Sequence, residues 1–316
     1  MGLLSRTRHR VAIAGLLLLP TLPAAAQTPE PTPEPFTFGV ELDVVSVTAV
    51  VYDKAGRFIR GLDKGDIQVF EDGVEQQVTY FREARGGDEK IPLSVVLVLD
   101  SSGSMQHNLR FLQEAALNFV YKLEDVDQAL VVQFNSSIKG SAEFSGDIDR
   151  LERFVDAMQA WGGTSLHDAI HYGLNRIRDQ PGRKAMVVFS DGADTTSQLQ
   201  EQDVIDYARA VEATVYSIGI EAGPGFRGGS PRGFLKKIAQ ETGGEAFFPG
   251  QVGELIKIFA AISDELHNHY ALAYQPARAA DGTYREIQVK LDHANAEIRV
   301  RKGYFALKRP PRAASP

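Results

Sequence analysis

The chain has 316 residues, a formal net charge of −7, 43% hydrophobic and 24% charged residues, and no cysteine. That length suffices for a well-buried core and about two domains, and the composition is that of a globular protein. Mild acidity without a basic run argues against nucleic-acid binding. The lack of cysteine excludes disulfides, thiolate catalysis, thiolate metal sites and a lipid-modified N-terminal Cys.

Residues 1–26 read as a cleaved export signal. Arg6, Arg8 and Arg10 give a basic start, residues 11–19 an apolar run, and Ala24, Ala25 and Ala26 the small residues a signal peptidase needs. The run is too short for a retained anchor, which needs ~20 apolar residues, and Pro20 and Pro23 interrupt its end. Removing the signal leaves 31 basic against 41 acidic residues, a charge of −10. No later segment is long and apolar enough to span a membrane, so the mature protein is expected in the periplasm, on the cell surface or outside the cell.

Residues 27–35, QTPEPTPEP, form a Pro-rich linker. Residues 36–86 are strand-like: VELDVVSVTAVVYD is rich in β-branched residues, DKAGR reads as a turn, and two short alternating runs join at Asp72-Gly73. Residues 270–307 have the same character, with YALAYQP, REIQVKL and EIRVRKGYFAL alternating apolar and polar positions and a turn at Asp281-Gly282. Neither β-segment looks self-sufficient. One discontinuous β-sandwich built from both is favoured over two separate modules. Residues 308–316 are expected to be a disordered tail.

Residues 91–268 differ in kind. Apolar blocks at 93–99, 129–134, 185–189, 214–220 and 245–248 alternate with stretches of helical period, such as Leu109, Leu112, Ala116, Phe119 and Leu123 on one face. Strands that are apolar throughout and alternate with helices imply an α/β domain with a mostly parallel, doubly wound sheet covered on both faces. The run 138–144 reads as an antiparallel edge strand.

The chemistry gathers where strands end. In an open doubly wound sheet, ligands bind beyond the carboxyl ends of the strands, at a topological switch point. The first apolar strand ends in Asp100-Ser101-Ser102-Gly103-Ser104. Asp100, Ser102 and Ser104 alternate and can converge, with Gly103 allowing a bend. Asp191 follows the strand AMVVFS, and Trp161-Gly162-Gly163-Thr164-Ser165 places a hydroxyl just before a helix. A doubly wound order sets the first strand beside the fourth, bringing the Asp100 and Asp191 loops together. Such oxygen ligands suit a hard divalent cation, Mg²⁺ before Ca²⁺, with Mn²⁺ a further candidate. Two acids balance its charge while the hydroxyls are neutral, so the ion retains affinity for an outside carboxylate.

On these residues the segment resembles a von Willebrand factor type A (VWA) domain, whose metal-ion-dependent adhesion site is D-x-S-x-S with a distant Thr and a distant Asp. Asp100, Ser102, Ser104, Thr164 and Asp191 fill all five positions. The resemblance implies a six-stranded sheet in the order 3-2-1-4-5-6. It also implies direct metal binding by the hydroxyls, with the acids acting through water, and a partner protein offering Asp or Glu. The whole chain resembles a group of bacterial secreted proteins that carry this domain. Related domains shift their last helix when the metal is occupied. Here that helix ends near His267 and runs almost directly into YALAYQP, so a shift would pull on the sandwich.

Other motifs point elsewhere and are set aside. His167 and His171 have the spacing of zinc peptidases, but those need Glu where this chain has Asp168. Partly buried structural histidines are expected instead. Gly223, Gly225 and Gly228 match G-x-G-x-x-G, yet no helix opens at the third glycine, so this reads as a βα loop. His267 and His269 read as a helix end. Trp161 is read as either an exposed anchor or a residue packed beneath its own loop. No G-x-S-x-G elbow or convergent Ser/His/Asp set appears. The leading expectation is an exported, non-enzymatic binding or adhesion protein; the alternative is a structural component of an envelope or secretion assembly with no obligatory metal role. A hydrolase acting on envelope polymers ranks third.

Overall fold

The computed structural model describes residues 44–84, 91–191, 194–220, 232–293 and 295–307. The expected signal, the linker, the segment 36–43, the glycines at 223, 225 and 228 and the tail from 308 lie outside the described residues. From the N-terminal side come strands β1 (Val45–Asp53), β2 (Ile67–Glu71), β3 (Val74–Gln76) and β4 (Val78–Ala84). β2 and β3 form a hairpin whose turn residues Asp72 and Gly73 have φ of 47° and 80°. A two-residue turn that matches strand twist needs this left-handed pair, which Asp-Gly adopts readily.

The α/β portion runs β5 (Leu93–Asp100), α1 (Leu109–Val120), β6 (Gln128–Phe134), β7 (Ile138–Gly140), α2 (Ile148–Asp156), α3 (Leu166–Ile177), β8 (Arg183–Ser190), α4 (Glu201–Val211), β9 (Thr214–Gly219), α5 (Arg232–Thr242), β10 (Ala246–Phe247) and α6 (Leu255–His267). Its sheet has the order β10-β9-β8-β5-β6-β7. Counted within this portion and read from β7, that is 3-2-1-4-5-6. All neighbours are parallel except β7, which is antiparallel to β6.

Every residue of β5 is buried because alternate side chains enter two different cores. Val95, Leu97 and Leu99 pack with α1, α2 and α6, while Val96 and Val98 pack with α3, α4 and α5. Each fully buried Val or Leu contributes roughly 1.5–3 kcal/mol, so from Val95 to Leu99 the central strand has no face to spare for polar residues until it emerges at Asp100. Gly173 allows α3 to sit close on the sheet: a Cβ there would lie 2.8 Å from Met186 Cε.

The chain closes with β11 (His269–Tyr274), β12 (Tyr284–Leu291), β13 (Ala296–Arg299) and β14 (Gly303–Phe305). One four-stranded sheet is β13-β1-β11-β4 and the other is β14-β12-β2-β3. Each therefore mixes strands from both ends of the chain. β1 pairs with β11 from Val45↔Tyr274 to Ala49↔Tyr270, and β2 with β12 from Glu71↔Ile287 to Ile67↔Leu291. Val47, Val51, Val69, Leu272, Ile287 and Tyr304 fall in one shared apolar core. The α/β portion is thus inserted into a composite sandwich.

Three details differ from the sequence reading. The edge strand expected over 138–144 is cut to three residues, because Ala142 takes a left-handed φ of 69°; the run resumes only as a bridge between Ser145 and Ala129. The last apolar block at 245–248 is strand only at Ala246–Phe247. The stretch EIRVRKGYFAL is two strands in different sheets. Between them Arg301 Nη2 donates to Ser46 O (2.7 Å) and the Lys302 amide to Glu241 O (3.2 Å), turning the chain across the sandwich.

Candidate metal centre

Four of the five expected ligands sit in one hydrogen-bonded chain. Asp100 is fully buried as β5 ends. Its Oδ1 accepts the Ser102 amide (2.8 Å) and its Oδ2 accepts Ser190 Oγ–H (2.7 Å). Ser102 Oγ lies 3.0 Å from Ser104 Oγ, and Ser104 Oγ–H donates to Asp191 Oδ1 (2.8 Å). The strand pairing of β5 with β8 makes this possible, since Leu99 faces Phe189 and both strands then deliver an acid at the same end.

Thr164 stands on a third loop that is pinned to the other two. The Trp161 amide donates to Ser101 O (2.9 Å), the Gly103 amide to Gly162 O (2.9 Å) and the Gly163 amide to Ser136 Oγ (2.6 Å). On its other side the Thr164 amide donates to Thr195 Oγ1 (2.9 Å), and the Thr195 amide returns to Thr164 O (2.8 Å). Gly162 has a φ of 74°, and a Cβ there would lie 2.9 Å from Ser136 Oγ. Only glycine meets both demands at low cost.

Burial pushes the Asp100 carboxyl up to about 6, against the hydrogen bonds from Ser190 and Ser102, and the nearby Asp191 charge adds to the rise. Burial likewise raises Asp191, opposed by the Ser104 hydroxyl. Among the described residues, no Lys, Arg or His hydrogen-bonds or ion-pairs with either acid. Among the described residues no three Asp, Glu or His side chains cluster there as a metal site, so a cation at this pole would depend on hydroxyls as well as on the two carboxylates. An all-oxygen donor set, with two buried carboxylates that lack a side-chain counter-ion, fits a hard divalent ion.

Ser190 was not singled out from the sequence, although it orients the Asp100 carboxylate. The signal was a lone hydroxyl closing the apolar run from Ala185 to Phe189. Asp194 also escaped notice: its carboxylate accepts the His167 and Ser197 amides (3.0 and 3.1 Å) and ties the Asp191 loop to the start of α3.

His167 and His171 do not converge. The His167 ring stacks edge-on to Phe234 and His171 lies against Tyr207, both at 4.5 Å between centroids. Asp168 accepts the Gln198 and Leu199 amides (both 3.0 Å), a loop-fastening role. Trp161 is 53% exposed, so of its two readings the exposed one describes it.

The family model described as the von Willebrand factor type A domain matches residues 94–261, just over half of the chain. The chain belongs to the VWA family. An uncharacterised protein from Synechocystis sp. is 31% identical over 97 residues, covering 28% of this chain and 21% of that protein. An uncharacterised protein from Borreliella burgdorferi is 23% identical over 216 residues, covering 63% and 62% respectively. The chain thus spans less than two thirds of the length of these curated relatives. A solved von Willebrand factor type A structure from Catenulispora acidiphila covers 84% of this chain and 74% of its own at 13% identity, with a TM-score of 0.50, a likeness of fold. No helix among the described residues of this VWA protein is long and apolar enough to cross a membrane.

Proposed function

We propose that this VWA protein is an exported binding module, not a catalyst, that engages an acidic group of a protein partner through a divalent cation. Asp100, Ser102, Ser104, Thr164 and Asp191 would hold the ion, Mg²⁺ in the first instance. When bound, it supplies a Lewis-acidic position able to take a carboxylate. The observation that carries this reading is the chain of oxygens from Ser190 through Asp100 and from Ser102 through Ser104 to Asp191, with neither acid meeting a cationic side chain among the described residues. Asp100 and Asp191 provide the negative charge, Ser190 and the Ser102 amide fix the Asp100 carboxylate, and the pinned Trp161–Thr164 loop presents the hydroxyl of Thr164. Trp161, exposed beside that loop, offers the partner an aromatic surface.

Titrating Mg²⁺ into protein freed of metal tests the proposal. Saturable binding at or below millimolar Mg²⁺ is expected, abolished in the Asp100→Ala, Asp191→Ala double mutant. No binding, or binding unchanged in that mutant, would overturn it. Capture from the native envelope with and without chelator tests the partner half, since partners retained in chelator would favour a purely structural role.

The joint to the sandwich offers a route for coupling. α6 and β11 are separated by Asn268 alone. Hydrogen exchange across 254–274 should change with metal and partner if α6 moves; an unchanged profile means a rigid joint.

A further inference from the structure

At the opposite end of the sheet from the metal centre, a cleft of about 880 Å³ lies between the α/β portion and the sandwich. That volume is within the range of small-molecule sites, which favour junctions between domains. Among the described residues lining it, seven arginines and lysines face three carboxylates, Asp179, Glu212 and Glu241. This local excess of positive charge stands out in a chain of net charge −7. Several of the cations are already paired: Arg178 with Asp179, Arg209 with Glu241, and Arg285 with Glu71.

Arg183 is different. It opens β8, is 7% exposed and has no carboxylate partner among the described residues. Its Nη1 donates to the carbonyls of Leu266 and Glu265 and to His269 Nδ1, while Nε and Nη2 have no hydrogen-bond partner among the described residues. His269 cannot share the charge: burial, then the Arg183 guanidinium, lower it to about 2, so its ring is neutral. Among the described residues, then, a permanent cation is buried without an anion. Arg301, 9% exposed, lines the same cleft. Its Nη2 donates to Ser46 O, Nε is unpartnered among the described residues, and Nη1 is 3.2 Å from Glu212 in an orientation that makes no hydrogen bond.

We propose that this cleft binds a small molecule bearing a carboxylate or phosphate group, with Arg183 as its principal anchor and Arg301 as its second. Guanidinium forks match both oxyanions, and the stranded N–H groups are the donors such a ligand would pair as the side chains turn toward it. The site is independent of the metal centre. The eight residues of β8 separate Arg183 from the Asp191 loop, roughly 25 Å along an extended strand.

Calorimetry on the full chain, in buffer freed of metal by resin and at matched ionic strength, tests this with inorganic phosphate, tripolyphosphate and citrate as probes. Saturable binding of at least one probe is expected, and which one binds separates a phosphate ligand from a carboxylate one. Arg183→Gln and Arg301→Gln should each weaken it at least tenfold, and Asp100→Ala should leave it unchanged. Arg301→Gln keeps the test decisive should Arg183→Gln not fold. Failure of all three probes to saturate, or affinity indifferent to Arg301→Gln, would overturn the proposal.

Discussion

In the sandwich core, Glu71 is 3% exposed and meets its own cation: Oε1 accepts Arg285 Nη1 (3.0 Å) while Oε2 accepts the hydroxyls of Tyr274 (2.8 Å) and Tyr304 (2.9 Å). At the loop pole of the parallel sheet, Asp100 is just as deeply buried and receives hydrogen bonds from Ser190 and Ser102 rather than from a cationic side chain among the described residues. Both carboxylates are removed from water, and an ion in that situation is costly unless it is paired. Glu71 is neutralised within the fold; Asp100 has no cationic side chain as a partner among the described residues. If Asp100 holds the proposed cation, the same residue chemistry serves permanence in one place and binding in the other, and substitutions at the two should act with opposite signs in metal-free protein.

Glu71→Leu removes the buried carboxylate that faces the Arg285 guanidinium and leaves it the half-exposed Asp281 (3.4 Å) and the carbonyls of Arg278 and Ala279. A loss of about 3–5 kcal/mol is expected in urea unfolding, and the double variant with Arg285→Met should recover much of it. Asp100→Asn should do the reverse in metal-free protein. It removes a buried charge while its side-chain oxygen can still accept the Ser102 amide, so stability should rise by about 2 kcal/mol. Added Mg²⁺ should then no longer shift Tm. Equal destabilisation by both variants would erase the contrast.

These two carboxylates were not equally legible in the sequence. Asp100 announces itself, because an acid followed by alternating hydroxyls ends the unbroken apolar run from Val95 to Leu99, and the strand order then places Asp191 beside it. Glu71 gives no such warning. The alternation of IQVFE puts it on the face of Ile67 and Val69, yet a carboxylate at a strand end reads as a surface residue, and its partners Tyr274, Arg285 and Tyr304 come from more than 200 residues along the chain. The composite sandwich was foreseeable from two incomplete β-segments. The split of residues 296–305 between two sheets was not, because it depends on Arg301 and Lys302 reaching Ser46 and Glu241. The burial of Arg183 without a carboxylate partner among the described residues was equally hidden, since its partners are backbone carbonyls at the end of α6 and the His269 ring.

A third buried carboxylate lies between the two extremes, because its cation can titrate. Asp127 Oδ2 accepts His267 Nε2–H (3.0 Å), and His267 Nδ1–H donates to Ser263 O (2.7 Å), so both ring nitrogens carry protons. The Asp127 hydrogen bond raises His267 above its ordinary value despite opposing burial. Burial pushes Asp127 up, but the His267 hydrogen bond and the Glu124 and Leu93 amides outweigh it and leave the carboxyl lowered. A raised histidine stabilises fully below its unfolded value and loses that contribution as pH rises through its folded value. A lowered carboxyl stabilises above its unfolded value and loses that contribution as pH falls through its folded one. The pair therefore acts in full between about pH 4 and 6.5. His267→Gln should cost about 1–2 kcal/mol at pH 6, with the difference from wild type shrinking toward pH 9. A pH-independent difference would mean that His267 acts by packing alone.

The smallest effect on stability should come from the backbone that presents Thr164. Gly162→Ala must hold an alanine at a φ of 74° with its Cβ 2.9 Å from Ser136 Oγ, a strain of about 1–2 kcal/mol if nothing moves. Ser136 can turn aside, but its hydroxyl then releases the Gly163 amide that it accepts at 2.6 Å. The loop would relax away from Ser101 and Gly103 while the sheet beneath stays intact, so a stability loss of about 1 kcal/mol is expected. Mg²⁺ affinity should fall more steeply, about tenfold, because the hydroxyl of Thr164 loses its place while the two carboxylates keep theirs. Unchanged metal affinity in this variant would remove Thr164 from the ligand set and leave the pole to Asp100, Ser102, Ser104 and Asp191.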